Sequence, residues 1–177
     1  MQNTDSINAD TLDTLAAHLF PGSRVSGQRP MTGCSSAVMT AIDLDRGTGE
    51  KETVILRQCG GANLAADPHA ARTEFQLLRA LHSHWLPVPQ ALHVDESLDL
   101  IDASFLIFSH LGGQPDYEPA DPVDAARQMV VFLARLHTID VESDDLAFVD
   151  RPVDGPGHLE IERAALPDVF LTGHDRL

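Results

Sequence analysis

Arg57 and Glu74 are the residues of this chain whose types and spacing suggest chemistry. Thr53-Val54-Ile55-Leu56-Arg57 has the β-branched, apolar character of a strand with an arginine at its far end. Downstream, Glu74, Leu77, Leu78, Leu81 and Trp85 fall at i, i+3, i+4, i+7 and i+11, which places a carboxylate at the head of a helical apolar stripe. A carboxylate aimed at a sheet is costly without a partner, and the preceding strand offers the Arg57 guanidinium. Pairing is expected. A strand cation braced by a helix carboxylate can hold phosphate groups and neutralise charge during phosphoryl transfer. Arginine's planar fork could satisfy Glu74 and two phosphate oxygens at once. The one lysine, Lys51, sits in a turn, so Arg57 is the cation this strand can aim at a phosphate. An ion pair that only staples helix to sheet is the competing reading.

Other candidates are weaker. The loop Gly33-Cys34-Ser35-Ser36 could lay backbone N–H groups and two hydroxyls against phosphate oxygens, but it matches neither the P-loop nor the Gly-x-Gly-x-x-Gly pattern, and taken alone it reads better as a plain turn. Cys34 and Cys59 are too few for a disulfide framework and lack zinc-site spacing, so both are read as buried or semi-buried free thiols. Asp43-Leu44-Asp45 is a strand end and turn rather than a metal site. His137, beside the apolar positions Met129, Val130, Leu133 and Leu136, reads as a core or boundary histidine. Glu142, Asp144 and Asp145 read as a solvated acidic loop.

The elements that must position these residues follow from periodicity and breakers. Asp10 to Leu19 carries Leu12, Leu15, Ala16 and Leu19 on one helical stripe, stopped by Phe20-Pro21-Gly22. Val38 to Ile42 and Thr53 to Arg57 read as a hairpin around Asp45-Arg46-Gly47-Thr48-Gly49-Glu50. Asp67-Pro68 opens a helix that runs to about Trp85, where Pro87-Val88-Pro89 forbids continuation. Gln90 to Val94 and Ser104 to Phe108 read as strands, Leu111 to Pro115 as a linker, and Asp121-Pro122 opens a second long helix. Beyond Asp140 the signals give loop and a short helix near Leu159 to Ala165.

Composition sets the outer limits. The 177 residues are 43% hydrophobic and 22% charged, the balance of a globular chain rather than a disordered one. A net charge of −15 repels nucleic acid and anionic membranes, so neither is an expected partner. It would repel a nucleotide as well, so any nucleotide site must rest on local cations and backbone N–H groups. No apolar run is long enough to span a bilayer and no basic leader opens the sequence, which reads as a cytoplasmic chain.

The order of segments carries a resemblance. Val54-Ile55-Leu56-Arg57-Gln58, a Gly/Ala loop, Ala71 to Leu81, Val88-Pro89, Phe105-Leu106-Ile107-Phe108 and Leu111-Gly112-Gly113 resemble the N-lobe of the aminoglycoside phosphotransferase and choline kinase superfamily, in the branch with arginine in the third strand. Leu133-Ala134-Arg135-Leu136-His137-Thr138-Ile139-Asp140 looks like that family's first C-lobe helix. The resemblance spans roughly Val25 to Asp140. It implies an α+β fold: a kinase-like N-lobe, an antiparallel sheet with a packed helix, over residues 1–111, a linker over 112–120, and the start of an incomplete helical C-lobe over 121–177.

The resemblance also implies roles. Arg57 matches the phosphate-binding cation and Glu74 its partner, Ser35 and Ser36 lie in the phosphate loop, and Phe108, Ser109 and His110 form the hinge whose main chain meets adenine. The cofactors are then ATP and Mg²⁺ in the complete protein, and the acceptor is a small-molecule hydroxyl. The family's His-Gly-Asp-x-x-x-x-Asn loop and the metal-binding aspartate after it have no match here; Gly173-His174-Asp175 has similar letters in the wrong order. The expectation is a chain cut off before its catalytic loop and inactive alone, with no catalytic or metal-binding residue present. Its last helix face, Met129, Val130, Phe132, Leu133 and Leu136, would lack part of its packing surface and favour self-association. A non-catalytic nucleotide-binding or protein-interaction module, or a purely structural domain, are the rival readings.

Overall fold

The computed structural model describes residues 7–31, 37–47, 49–113, 116–140, 142 and 144–149. In chain order they form α1 (Ala9–Leu19), β1 (Arg24–Met31), β2 (Ala37–Asp45), β3 (Lys51–Cys59), α2 (Gly61–Ala66), α3 (Ala70–Ser83), β4 (Ala91–Asp95), β5 (Phe105–Ser109), α4 (Pro122–Leu136) and a 3₁₀ turn at Asp144–Leu146. The five strands make one sheet in the order β1-β2-β3-β5-β4, every neighbouring pair antiparallel. This is the expected α+β class. The chain divides into two compact units, Met1–Leu146 and Ala147–Leu177, and all the elements named lie in the first.

Alternation along β3 sends its side chains to opposite faces of the sheet. Val54 and Leu56 join Ile42, Leu44, Phe105 and Ile107 on one face, where Leu12, Leu15 and Ala16 of α1 cover them. Helix α1 can present that stripe because Asn8 caps it, accepting a hydrogen bond from the Thr11 N–H at 2.8 Å. Each such apolar side chain contributes about 1.5–3 kcal/mol on burial. Ile55 belongs to the other face, with Ala41, Leu106 and Phe108, where Met39, Val94 and the α3 residues Phe75 and Leu78 pack against them.

Helix α3 differs from its sequence reading at both ends. Asp67 and Pro68 precede the helix, which begins at Ala70; Asp67 accepts bonds from the His69 N–H and the Thr73 hydroxyl and so organises the first turn from outside it. At the other end the helix stops at Ser83, and Trp85 turns into the left-handed region at φ 59°. Trp85 is 85% exposed and Leu77 is also exposed; Ala71 and Ala80 are the buried residues of the helix, and Glu74, Phe75, Leu78 and Leu81 are half-buried beside them, so the covered stripe is rotated slightly from the one expected.

Two elements had no sequence signal. Arg24-Val25-Ser26-Gly27-Gln28-Arg29-Pro30-Met31 is polar and contains a proline, as an edge strand can, and it pairs with β2 through a register shift at Val25/Gly27. Gly61–Ala66 folds as the short helix α2 rather than a Gly/Ala loop. By contrast α4 opens as expected: Asp121 accepts from the Val123 and Asp124 N–H groups, with Pro122 at the first helical position. His137 is not a core histidine; it is the exposed C-cap of α4. Met129, Val130 and Val131 of α4 are 72%, 65% and 55% exposed. No described helix is long and apolar enough to cross a membrane.

Candidate functional site

Arg57 lies next to the end of the sheet's central strand, opposite Met39 on β2 and Leu106 on β5. Two residues beyond Ile55, it projects onto the face that α3 covers. Helix α3 brings Glu74 to the same place because Ala71, Phe75 and Leu78 fix its rotation against the sheet. Arg57 Nη1 and Glu74 Oε2 are 3.1 Å apart, and the two side chains are only 14% and 34% exposed. The sequence-predicted pair is thus brought together, in a partly dehydrated setting where a charged contact is stronger than in water.

The nearest approach of the pair is through Arg57 Nη1. The same Nη1 donates to Cys59 Sγ at 3.8 Å, and Nε and Nη2 make no hydrogen bond to a described residue. Burial pushes the Glu74 carboxyl above its ordinary range, and the nearby Arg57 charge pulls it back only in part. Cys59, buried and free, has its thiol pushed up by burial, with the Arg57 guanidinium opposing it.

Phe108 and Ser109 belong to β5, and His110 follows it directly. Ser109 N–H donates to the Gln90 carbonyl at 2.9 Å, and His110 N–H to the Thr53 carbonyl at 3.2 Å. The Ser109 hydroxyl in turn accepts from the Gln90 N–H. The segment is therefore anchored to the sheet on both sides, and Phe108 is buried beside Ile55. Ser35 and Ser36 lie outside the described residues, as do Cys34 and the Gly173-His174-Asp175 segment.

A second polar cluster occupies the same sheet face; local spacing carries no sign of it, because its members meet across the β1–β2–β3 ladders. Asp43, opposite Thr53 in the β2–β3 ladder, accepts from the Thr53 hydroxyl at 2.7 Å and from Arg29 Nη1 at 3.0 and 2.8 Å. The Thr53 bond and then the Arg29 bond hold the Asp43 carboxyl below its ordinary value. Asp43 is accordingly a paired strand residue, not merely a solvated turn. Among the described residues no group of three His, Cys, Asp or Glu side chains could hold a metal ion.

Comparison with known proteins gives a consistent result. Residues 44–172 match the sequence profile of a family described as the phosphotransferase enzyme family. Among curated proteins, acyl-CoA dehydrogenase family member 10 of Mus musculus is 25% identical over 100 residues, covering 52% of this chain and 9% of that protein. Acyl-CoA dehydrogenase family member 11 of Rattus norvegicus is 25% identical over 172 residues, covering 86% of this chain and 22% of that protein. Among solved structures, a Ralstonia eutropha protein described as an aminoglycoside phosphotransferase superposes with a TM-score of 0.64 at 19% identity, over 90% of this chain and 46% of that one. A spectinomycin phosphotransferase in complex with ADP and spectinomycin gives 0.61 at 13% identity, over 90% and 46%. The GDP complex of an aminoglycoside 2′-phosphotransferase variant gives 0.60 at 19% identity, over 93% and 56%. The chain thus spans about half the length of these structures and less than a quarter of the curated relatives.

Proposed function

The chain belongs to the phosphotransferase enzyme family, and from that premise we propose that its Arg57–Glu74 face binds the phosphates of ATP. One observation carries the reading: a partly buried guanidinium paired with a helix carboxylate, with no hydrogen bond from Nε or Nη2 to a described residue. Arg57 would bind two phosphate oxygens through Nε and Nη2, and Glu74 would set the plane of the fork. Ser35 and Ser36 would complete the phosphate loop, and Phe108, Ser109 and His110 the hinge. Because the Ser109 and His110 N–H groups already serve the sheet, the base would be met there by carbonyl oxygens and by the N–H of Leu111, the first residue past those bonds.

In the whole protein the γ-phosphoryl group would pass from ATP to a small-molecule hydroxyl. The bond from phosphorus to the bridging oxygen breaks as a new one forms to the acceptor oxygen, and ADP leaves. Mg²⁺ would supply charge neutralisation in that step, but among the described residues no group of three His, Cys, Asp or Glu side chains could hold it. The 177 residues carry no His-Gly-Asp-x-x-x-x-Asn segment, and as they stand we assign them binding without turnover. The lobes would divide at 1–111, 112–120 and 121–177.

ATP with Mg²⁺ is expected to raise the melting temperature of the chain, and Arg57→Ala to abolish the rise. An unchanged rise in the variant would overturn the assignment. A second reading, an interaction module, is favoured by the exposed Met129, Val130 and Val131 on α4, through which copies of the chain would associate.

A further inference from the structure

We propose that Arg29 is a second nucleotide contact, aimed at the nucleoside rather than the phosphates and positioned by Asp43; this rests on the nucleotide reading of the Arg57 face. Arg29 is opposite Ala41 on β2, and Ala41 is opposite Ile55 on β3, two residues short of Arg57. Directly paired residues share a face, so Arg29 and Arg57 stand on the same side of the sheet. Two strand spacings and two residues of rise separate their backbones by about 12 Å. Along that diagonal Arg29 lies level with Ile55, which pairs with Phe108, and so at the hinge end of the face. A triphosphate anchored on Arg57 would present its sugar and base in that direction.

The guanidinium is held as a binding group is held. Nη1 donates to both oxygens of Asp43, whose Oδ1 also accepts from Thr53 at 2.7 Å. Gly27, across from Asp43, leaves room for this arrangement: a Cβ there would come within 3.2 Å of Asp43 Oδ2. Among the described residues only Nη1 is engaged, and the side chain remains 50% exposed. Its charge is compensated by Asp43, so it exerts little net pull on phosphate. What it offers is a fixed plane and the donors on Nε and Nη2, suited to the lone pairs of a ribose or a base and to stacking on a base. A strap between β1 and β2 would need the Asp43 bond alone and would not favour any part of a ligand.

The test compares ATP with tripolyphosphate, which carries no nucleoside, each titrated with Mg²⁺ into the full chain and into Arg29→Gln, Asp43→Asn and Arg57→Ala. Arg29→Gln is expected to raise the Kd for ATP about tenfold and leave that for tripolyphosphate unchanged. Asp43→Asn is expected to do the same to a smaller degree and decides the matter if Arg29→Gln fails to fold, which its unliganded melting temperature reveals. Arg57→Ala is expected to weaken both ligands. If Arg57→Ala behaves so but both other variants bind ATP like the parent, or weaken both ligands equally, the role given to Arg29 is wrong while the phosphate site stands. If the parent chain binds neither ligand, the nucleotide reading falls and this inference with it.

Discussion

Arg57 Nη1 lies 3.1 Å from Glu74 Oε2, and the same nitrogen reaches the sulfur of Cys59. Strand β3 and helix α3 are thereby joined through this guanidinium, whose Nε and Nη2 make no hydrogen bond to a described residue. Most of what the chain is expected to do follows from that asymmetry.

Glu74 provides a way to separate structural from ligand-directed roles. Its carboxyl is pushed up by burial, so just above the ordinary glutamate range the native state keeps a proton that the unfolded chain releases. Stability from this group therefore falls as pH rises through that window and is level above it. Glu74→Gln should remove this slope and change stability at neutral pH by less than about 1 kcal/mol, because the amide oxygen still accepts from Arg57. Glu74→Ala leaves Arg57 without its acceptor and should cost about 1–3 kcal/mol. Chemical denaturation from pH 4 to 7 measures both; a larger loss in the glutamine variant than in the alanine variant would refute the account.

Asp43 should show the opposite sign. Its carboxyl is held down, first by the Thr53 hydroxyl and then by Arg29, so its stabilising contribution is present above the ordinary aspartate value of 3.8 and is lost as pH falls below it. Asp43→Asn should flatten the acid limb of the stability curve and leave its shape above pH 5 unchanged. An acid limb as steep as the parent's would show that the cluster does not form in solution.

Cys59 is buried and its thiol is raised, which makes it a poor nucleophile. In a Cys34→Ser background, alkylation by iodoacetamide at pH 8 should be slower in the native chain than in the urea-unfolded chain by at least about tenfold. Equal rates would place Cys59 outside the core of β3.

The α4 face supports a prediction about association. Met129 and Val130 are mostly exposed, so Met129→Glu with Val130→Glu should leave stability within about 0.5 kcal/mol for each site. If copies associate through this face, sedimentation should show a higher monomer fraction in the double variant at every concentration. An unchanged distribution would remove α4 as the contact.

How much of this was legible beforehand depends on how strongly each segment declares itself. The α1 stripe, the β2–β3 hairpin and the Asp121-Pro122 helix start are local signals, and they appear in the structure within a few residues. Arg57 and Glu74 could be paired in advance because an acidic residue in an apolar stripe needs an answer nearby. The stripe differs at two positions: Trp85 falls beyond the helix, which ends at Ser83 before the left-handed turn at Trp85, and Leu77 lies at the exposed edge of the covered face. Strand β1 leaves no signal because most of its residues are exposed, and an edge strand that buries so little needs neither alternation nor β-branched residues. With β1 went Arg29, whose partner lies across the ladder and leaves no mark in local spacing.

The central claim is that Arg57 meets the phosphates of the nucleotide while Glu74 holds it, and phosphorus NMR of ATP with Mg²⁺ observes this directly. Added parent chain should shift and broaden the β and γ resonances, and Arg57→Ala should leave them as in free ATP. Phosphate resonances that respond equally to both proteins, or to neither, would contradict the account.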